Sequence, residues 1–121
     1  GLWVNTFMDG KTRYFDLTNP EQPVQTFEKV TGKQVNMVSQ SWDGKRVYIP
    51  SSLLANWHKK AADDEQFLRA FDWDGKDLTL KFEVDFYKAK LGRAHHMKFT
   101  AKPQATAANE SSGRLLAAME K

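Results

Sequence analysis

Apolar residues in this chain fall in short runs, each ended by Gly, Pro, Asn or Asp, and no run keeps a helical period for long. Residues 78–86 alternate strictly: Leu78, Leu80, Phe82, Val84 and Phe86 on one side, Thr79, Lys81, Glu83 and Asp85 on the other. Period two predicts a strand with one dry and one wet face. Residues 2–8 are nearly all apolar, which predicts an inner strand covered on both faces. Further strands are expected at 12–17, 24–30, 35–38, 46–50, 67–73 and 95–99. Pro20 and Pro23 lack the amide hydrogen that a ladder needs, so 18–23 is a loop. Ser51 and Ser52 are placed to cap a short helical turn through 53–57, with loops at 59–64 and 87–92.

Three Asp-Gly pairs punctuate these runs, at Asp9-Gly10, Asp43-Gly44 and Asp74-Gly75. Asp-Gly supplies the positive φ angles of a tight two-residue hairpin, so each pair marks a strand turning back on itself. They recur 34 and then 31 residues apart, near the ~40–45-residue period of a β-propeller blade. The fold expected is therefore all-β: two to three four-stranded antiparallel blades over residues 1–101, a fragment of a larger propeller. A propeller closes with roughly four to eight blades, so this many residues would leave apolar faces and strand edges uncovered. The missing blades are expected on another chain or on a segment upstream of Gly1. Gly1-Leu2-Trp3-Val4 opens directly inside a strand, as a processed or truncated chain does. Past Lys102-Pro103 the composition turns to Ala, Ser, Gln and Asn, and 102–121 reads as a tail with one or two helical turns near 114–120.

Composition removes several classes of function. The 15 aromatic residues suffice for a packed core. The absence of cysteine excludes disulfides, thiolate zinc sites and cysteine nucleophiles. The net charge of +3 is interleaved, as in Lys59-Lys60 followed by Asp63-Asp64-Glu65, and no basic stripe points to nucleic acid. No 18-residue apolar run is available for a membrane helix. Asp63-Asp64-Glu65 lacks the glycine and distal glutamate of a calcium loop and reads as a solvated charge run.

Chemistry concentrates in the histidines. His95 and His96 are adjacent, and on a strand they point to opposite faces, so one mononuclear site takes one of them. Neutral imidazole suits copper, zinc or iron. Both also read as plain surface or core histidines. His58 follows Trp57 and reads either as an exposed polar residue or as a proton carrier or second ligand, with Trp57 lining its pocket. Trp3, Trp42 and Trp73 are dispersed and read as packing residues.

Three stretches together resemble the carboxy-terminal part of the selenium-binding protein / methanethiol oxidase family. The first is Leu2-Trp3-Val4 with Gly10, Arg13, Phe15-Asp16-Leu17 and Pro20. The second is Ser41-Trp42-Asp43-Gly44-Lys45-Arg46-Val47-Tyr48, with Ser52-Leu53 and Trp57. The third is Val84-Asp85-Phe86, Leu91-Gly92 and Ala94-His95-His96-Met97-Lys98-Phe99. Their order and spacing hold across residues 2–99.

The resemblance implies a β-propeller enzyme that depends on copper. It implies oxidation of methanethiol by oxygen and water to formaldehyde, hydrogen sulfide and hydrogen peroxide. It places a copper ligand at His95, with His96 where the family carries an acidic residue, so either imidazole is a metal candidate. Asp9 stands where a histidine is common and His58 where an aspartate is common. In the enzyme reading, Trp57 and His58 shape or service the pocket. The partners it implies are the remaining blades, a small thiol and oxygen, with self-association into a homo-oligomer left open. Localisation follows as periplasmic, with the cytoplasm as alternative. The second reading is a non-catalytic propeller, a binding or metal-handling platform; the third is a small β-rich binding module that merely shares Asp-Gly hairpins.

Overall fold

Hydrophobic alternation and the Asp-Gly punctuation produce seven strands and no long helix among the described residues, which in this computed structural model are 1–52, 54 and 65–100. The strands are β1 (Leu2–Thr6), β2 (Lys11–Asp16), β3 (Val24–Val30), β4 (Ser39–Gln40), β5 (Arg46–Pro50), β6 (Phe67–Trp73) and β7 (Leu78–Asp85). They form two antiparallel sheets, of order β1-β2-β3 and β4-β5-β6-β7. The all-β expectation holds. Trp57, His58, most of the helical turn, the 59–64 loop and the 102–121 tail lie outside the described residues. At the start of that turn the Leu54 amide donates to Ser52 Oγ at 3.0 Å.

All three Asp-Gly pairs join hairpin strands, but through longer loops than two residues: 7–10, 41–45 and 74–77. The reason lies in the repeated tripeptide Asp-Gly-Lys. Each aspartate keeps an ordinary negative φ, while Gly10, Gly44 and Gly75 take φ of 65°, 73° and 94°. Each carboxylate accepts a bond from the lysine amide two residues on, at 3.2 Å for Lys11, 3.0 Å for Lys45 and 2.8 Å for Lys76. The side chain thus closes an Asx-type turn, and glycine alone supplies the left-handed residue.

Three further expectations are corrected. The first sheet has three strands among the described residues, because after Val30 the chain crosses the β1–β2 loop instead of pairing. There the Thr31 amide donates to Gly10 O at 2.9 Å, and Gly32 lies so close to the Phe67 ring that a Cβ would sit 2.2 Å from it. Residues 2–8 are not covered on both faces: β1 is an edge strand, with Leu2 and Met8 exposed. The alternation of 78–86 does not give one dry side either. Phe71 pairs with Leu80 but Ala70 with Phe82, so Lys81 is an extra residue that inverts the facing of everything after it. Leu78 is buried and Leu80, on the same side ahead of the bulge, is exposed, while Phe82 and Val84 beyond it are exposed on the other side.

The core lies between the sheets. Val35, Val47, Ile49, Phe67, Phe71 and Leu78 form it, with Trp3, Phe27, Val38 and Trp73 packed against it. Full burial of each such side chain is worth about 1.5–3 kcal/mol. Trp3, Phe27 and Trp73 meet edge-on, with centroids 4.7–6.2 Å apart. Polar ties cross the same interface: Asn5 Nδ2 donates to Met37 O at 2.7 Å, Lys29 Nζ to Leu78 O at 2.6 Å, and an Arg69 guanidinium nitrogen to Thr31 O at 2.7 Å. Arg69 also pairs with Glu65 and Glu83 and stacks 3.9 Å over the Phe67 ring.

Candidate metal site

The residues that carry His95 and His96 leave the last turn after β7 and lie against the second sheet. No ladder forms there, so the strand expected at 95–99 is corrected to an extended strap held by side chains. Three fastening points lie on or beside β4 and β5. Ser39 Oγ donates to Met97 O. Trp42 Nε1 donates to Thr100 O at 3.1 Å. The Tyr48 ring meets Phe99 edge-on at 5.4 Å, and Ala94 is buried. Ser39 and Tyr48 are ladder partners, so two of the three anchors sit on one rung.

The strap separates the two imidazoles, as the strand reading also required, though by a different backbone. His96 is exposed, with Nε2 3.4 Å from Ser39 Oγ. His95 is half-buried, and its Nδ1 is shut off from solvent without a hydrogen-bond partner. An unpartnered buried polar atom costs about 1–3 kcal/mol. A ring nitrogen in that state suits a metal or a donor brought in from outside these residues.

The donor set is incomplete within the described residues: no three His, Cys, Asp or Glu side chains gather closely enough to hold a metal ion. His95 therefore fits the role of one imidazole ligand and not of a whole centre. Trp57 and His58 lie outside the described residues. Trp42, exposed, and Trp73, in the core, behave as hairpin residues, and Trp3 as a core residue. An open groove between Trp42, Arg46, Tyr48, Asp72 and Trp73 has matched charges, with Asp72 bound by Arg46 at 3.4 Å and Lys81 at 3.1 Å.

Asp9, where the resemblance leads one to look for histidine, is absorbed by structure. The Thr6 hydroxyl and the Arg13 guanidinium bind it, the latter at 2.7 Å, and together they hold its carboxyl down at about 2. The strap anchors Ser39, Trp42 and Tyr48 were missed in the sequence. Ser39 bonds across 58 residues, and nothing in local spacing announces a contact of that range.

Comparison with known proteins adds relatives. No protein-family model matches the chain. It is 63% identical to a methanethiol oxidase of Hyphomicrobium sp over 87% of its own length and 24% of that protein's. It is 65% identical to a methanethiol oxidase of Ruegeria pomeroyi over 81% of its length and 22% of that protein's. Selenium-binding protein 2 of Mus musculus is 27% identical over 81% of this chain and 30% of its own. The chain thus spans about a quarter of the length of these two methanethiol oxidases. Among solved structures, a hypothetical selenium-binding protein from Sulfolobus tokodaii superposes with a TM-score of 0.58 at 23% identity, over 69% of this chain and 23% of that one. At that identity the likeness shows the fold alone.

Proposed function

We propose, from the premise that this chain belongs to the selenium-binding protein and methanethiol oxidase family, that it contributes an imidazole ligand to a copper-dependent methanethiol oxidase. The observation that carries the site is His95 Nδ1, buried and without a hydrogen-bond partner. The reaction rests on the two relatives at 63% and 65% identity, both named for it. It balances as one methanethiol, one oxygen and one water giving formaldehyde, hydrogen sulfide and hydrogen peroxide: carbon is oxidised, oxygen is reduced to the peroxide level, and the carbon–sulfur bond breaks.

Copper held by His95 and by ligands outside the described residues would supply a redox centre for electron transfer from thiol to oxygen. The chain's own part is to position and exclude. The strap and its anchors on β4 and β5 fix where His95 sits, and the burial of Ala94 and of the ring nitrogen keeps water from that edge of the imidazole. The remaining ligands come from further blades beyond the residues described. Trp57 and His58 are proposed to line the thiol pocket and to move protons there.

A second reading is a binding platform of the same fold, for which selenium-binding protein 2, at 27% identity, is a relative named for binding. One experiment separates the two. The protein that carries this chain, isolated from its native source, is assayed for copper and for oxygen uptake with methanethiol. Bound copper with turnover, both lost in His95→Ala, supports the oxidase. A copper-free protein without turnover supports the platform.

A further inference from the structure

The three Asp-Gly pairs share a chemical liability that the fold distributes unevenly. Glycine has no side chain to shield its amide nitrogen, so that nitrogen can attack the carboxyl carbon of the aspartate before it. Lysine follows each pair, and the second and third pairs sit in the identical tetrapeptide Trp-Asp-Gly-Lys. Local sequence therefore gives Asp43 and Asp74 the same tendency, and only the fold can separate them. Gly10 is buried and its amide donates to Thr6 O at 3.1 Å; Gly44 is half-buried and its amide donates to Ser41 O at 2.9 Å. Gly75 is exposed, its amide has no hydrogen-bond partner among the described residues, and nothing lies within 4 Å of where a Cβ would stand. The carboxylates do not make the difference, since each is held by at least two donors, Asp74 by the Lys76 and Asp77 amides at 2.8 Å.

We infer that Asp74 is a modification site, converted to isoaspartate in the folded protein ahead of Asp9 and Asp43. The Gly75 nitrogen loses its proton and bonds to Asp74 Cγ, the carboxyl oxygen leaves as water, and a succinimide ring forms. Water then opens the ring at either carbonyl. Breaking the new bond to Cγ restores aspartate. Breaking the original peptide bond leaves the backbone running through Cγ and frees the α-carboxylate. No oxidant or cofactor enters, and nothing in this step depends on copper. The added backbone atom falls in the turn that joins β6 to β7, beside Trp73, which packs against the core. The freed α-carboxylate is the group that an isoaspartyl methyltransferase esterifies, so the product is a substrate for that class of repair enzyme.

The test ages the intact protein that carries this chain at neutral pH, folded and in urea. Isoaspartate is mapped peptide by peptide, by electron-transfer fragmentation and by methyl transfer from an isoaspartyl methyltransferase. In the folded protein, Asp74 is expected to convert roughly two- to tenfold faster than Asp43, the ratio set by one ordinary hydrogen bond on the attacking amide. Asp9 converts no faster than Asp43. In urea the rates at Asp43 and Asp74 converge. No isoaspartate at Asp74 in the folded protein, conversion at Asp9 or Asp43 as fast as at Asp74, or a preference for Asp74 that persists undiminished in urea overturns the inference.

Discussion

Asp9 shows how one side chain serves the fold at the position where the resemblance leads one to look for histidine. Thr6, the Lys11 amide and Arg13 all donate to its carboxylate, and its pKa falls from 3.8 to about 2. A group whose folded pKa lies below its unfolded one stabilises above the unfolded value and stops doing so as pH falls through the folded one. Wild type is therefore expected to lose stability between about pH 4 and pH 2 more steeply than Asp9→Asn, as read by thermal melts across that range. Arg13 joins Asp9 to Glu28, which Lys11 also pairs, so the neutral variant loosens a four-residue network and not one pair. Much of this scale was legible in the sequence. Aspartate and glycine in the punctuating pairs announce turns by their chemistry, and His95 stood out as an imidazole. The state of its Nδ1 did not, because burial and lack of a partner depend on residues distant in the chain.

At the scale of elements, the two glycines at hairpins 1 and 3 have the same conformation and different surroundings. Gly10, at φ 65°, would place a Cβ 2.3 Å from Gly32 O, whereas Gly75, at φ 94°, has nothing within 4 Å. Gly75→Ala is expected to cost only the left-handed backbone, about 1–2 kcal/mol. Gly10→Ala costs that and the displacement of a backbone carbonyl, so its urea midpoint should fall well below that of Gly75→Ala. Phe67 is 1% exposed and lies under Gly32 and the Arg69 guanidinium, so Phe67→Ala should cost about 3–5 kcal/mol in the same assay. The strand at residues 24–30 was read with its boundaries, since apolar residues flank a polar run between a proline loop and a glycine. The facing of β7 was misread because its alternation continues unbroken through Lys81. A bulge is set by pairing with β6, which the run itself does not reveal. Residues 95–99 were read as a strand for a related reason: extended backbone pairs only where an edge is offered, and here side chains of β4 and of the loop after it donate to the strap's carbonyls instead.

At the scale of the molecule, two sheets share one core and turn apolar surface outward. Val24, Val30, Leu80 and Phe82 are all 45% exposed or more, and β1, β3, β4 and β7 are sheet edges among the described strands. Apolar faces beside open edges are sites of association. The chain produced alone is expected to elute from size exclusion well above 13.9 kDa, and Phe82→Lys together with Val30→Lys should shift it toward the monomer. A single sharp monomer peak for the unaltered chain would mean that these surfaces need no cover. The spacing of hairpins made the sheet plan legible; the proposed copper chemistry rests on resemblance to a family, since one histidine and an incomplete donor set among the described residues cannot specify a reaction. The decisive measurement is copper content and methanethiol-dependent oxygen uptake, taken on the same preparations of the intact protein as wild type and His95→Ala. The account predicts bound copper and turnover in wild type and neither in the folded variant. A His95→Ala protein that keeps its copper and its turnover would contradict it.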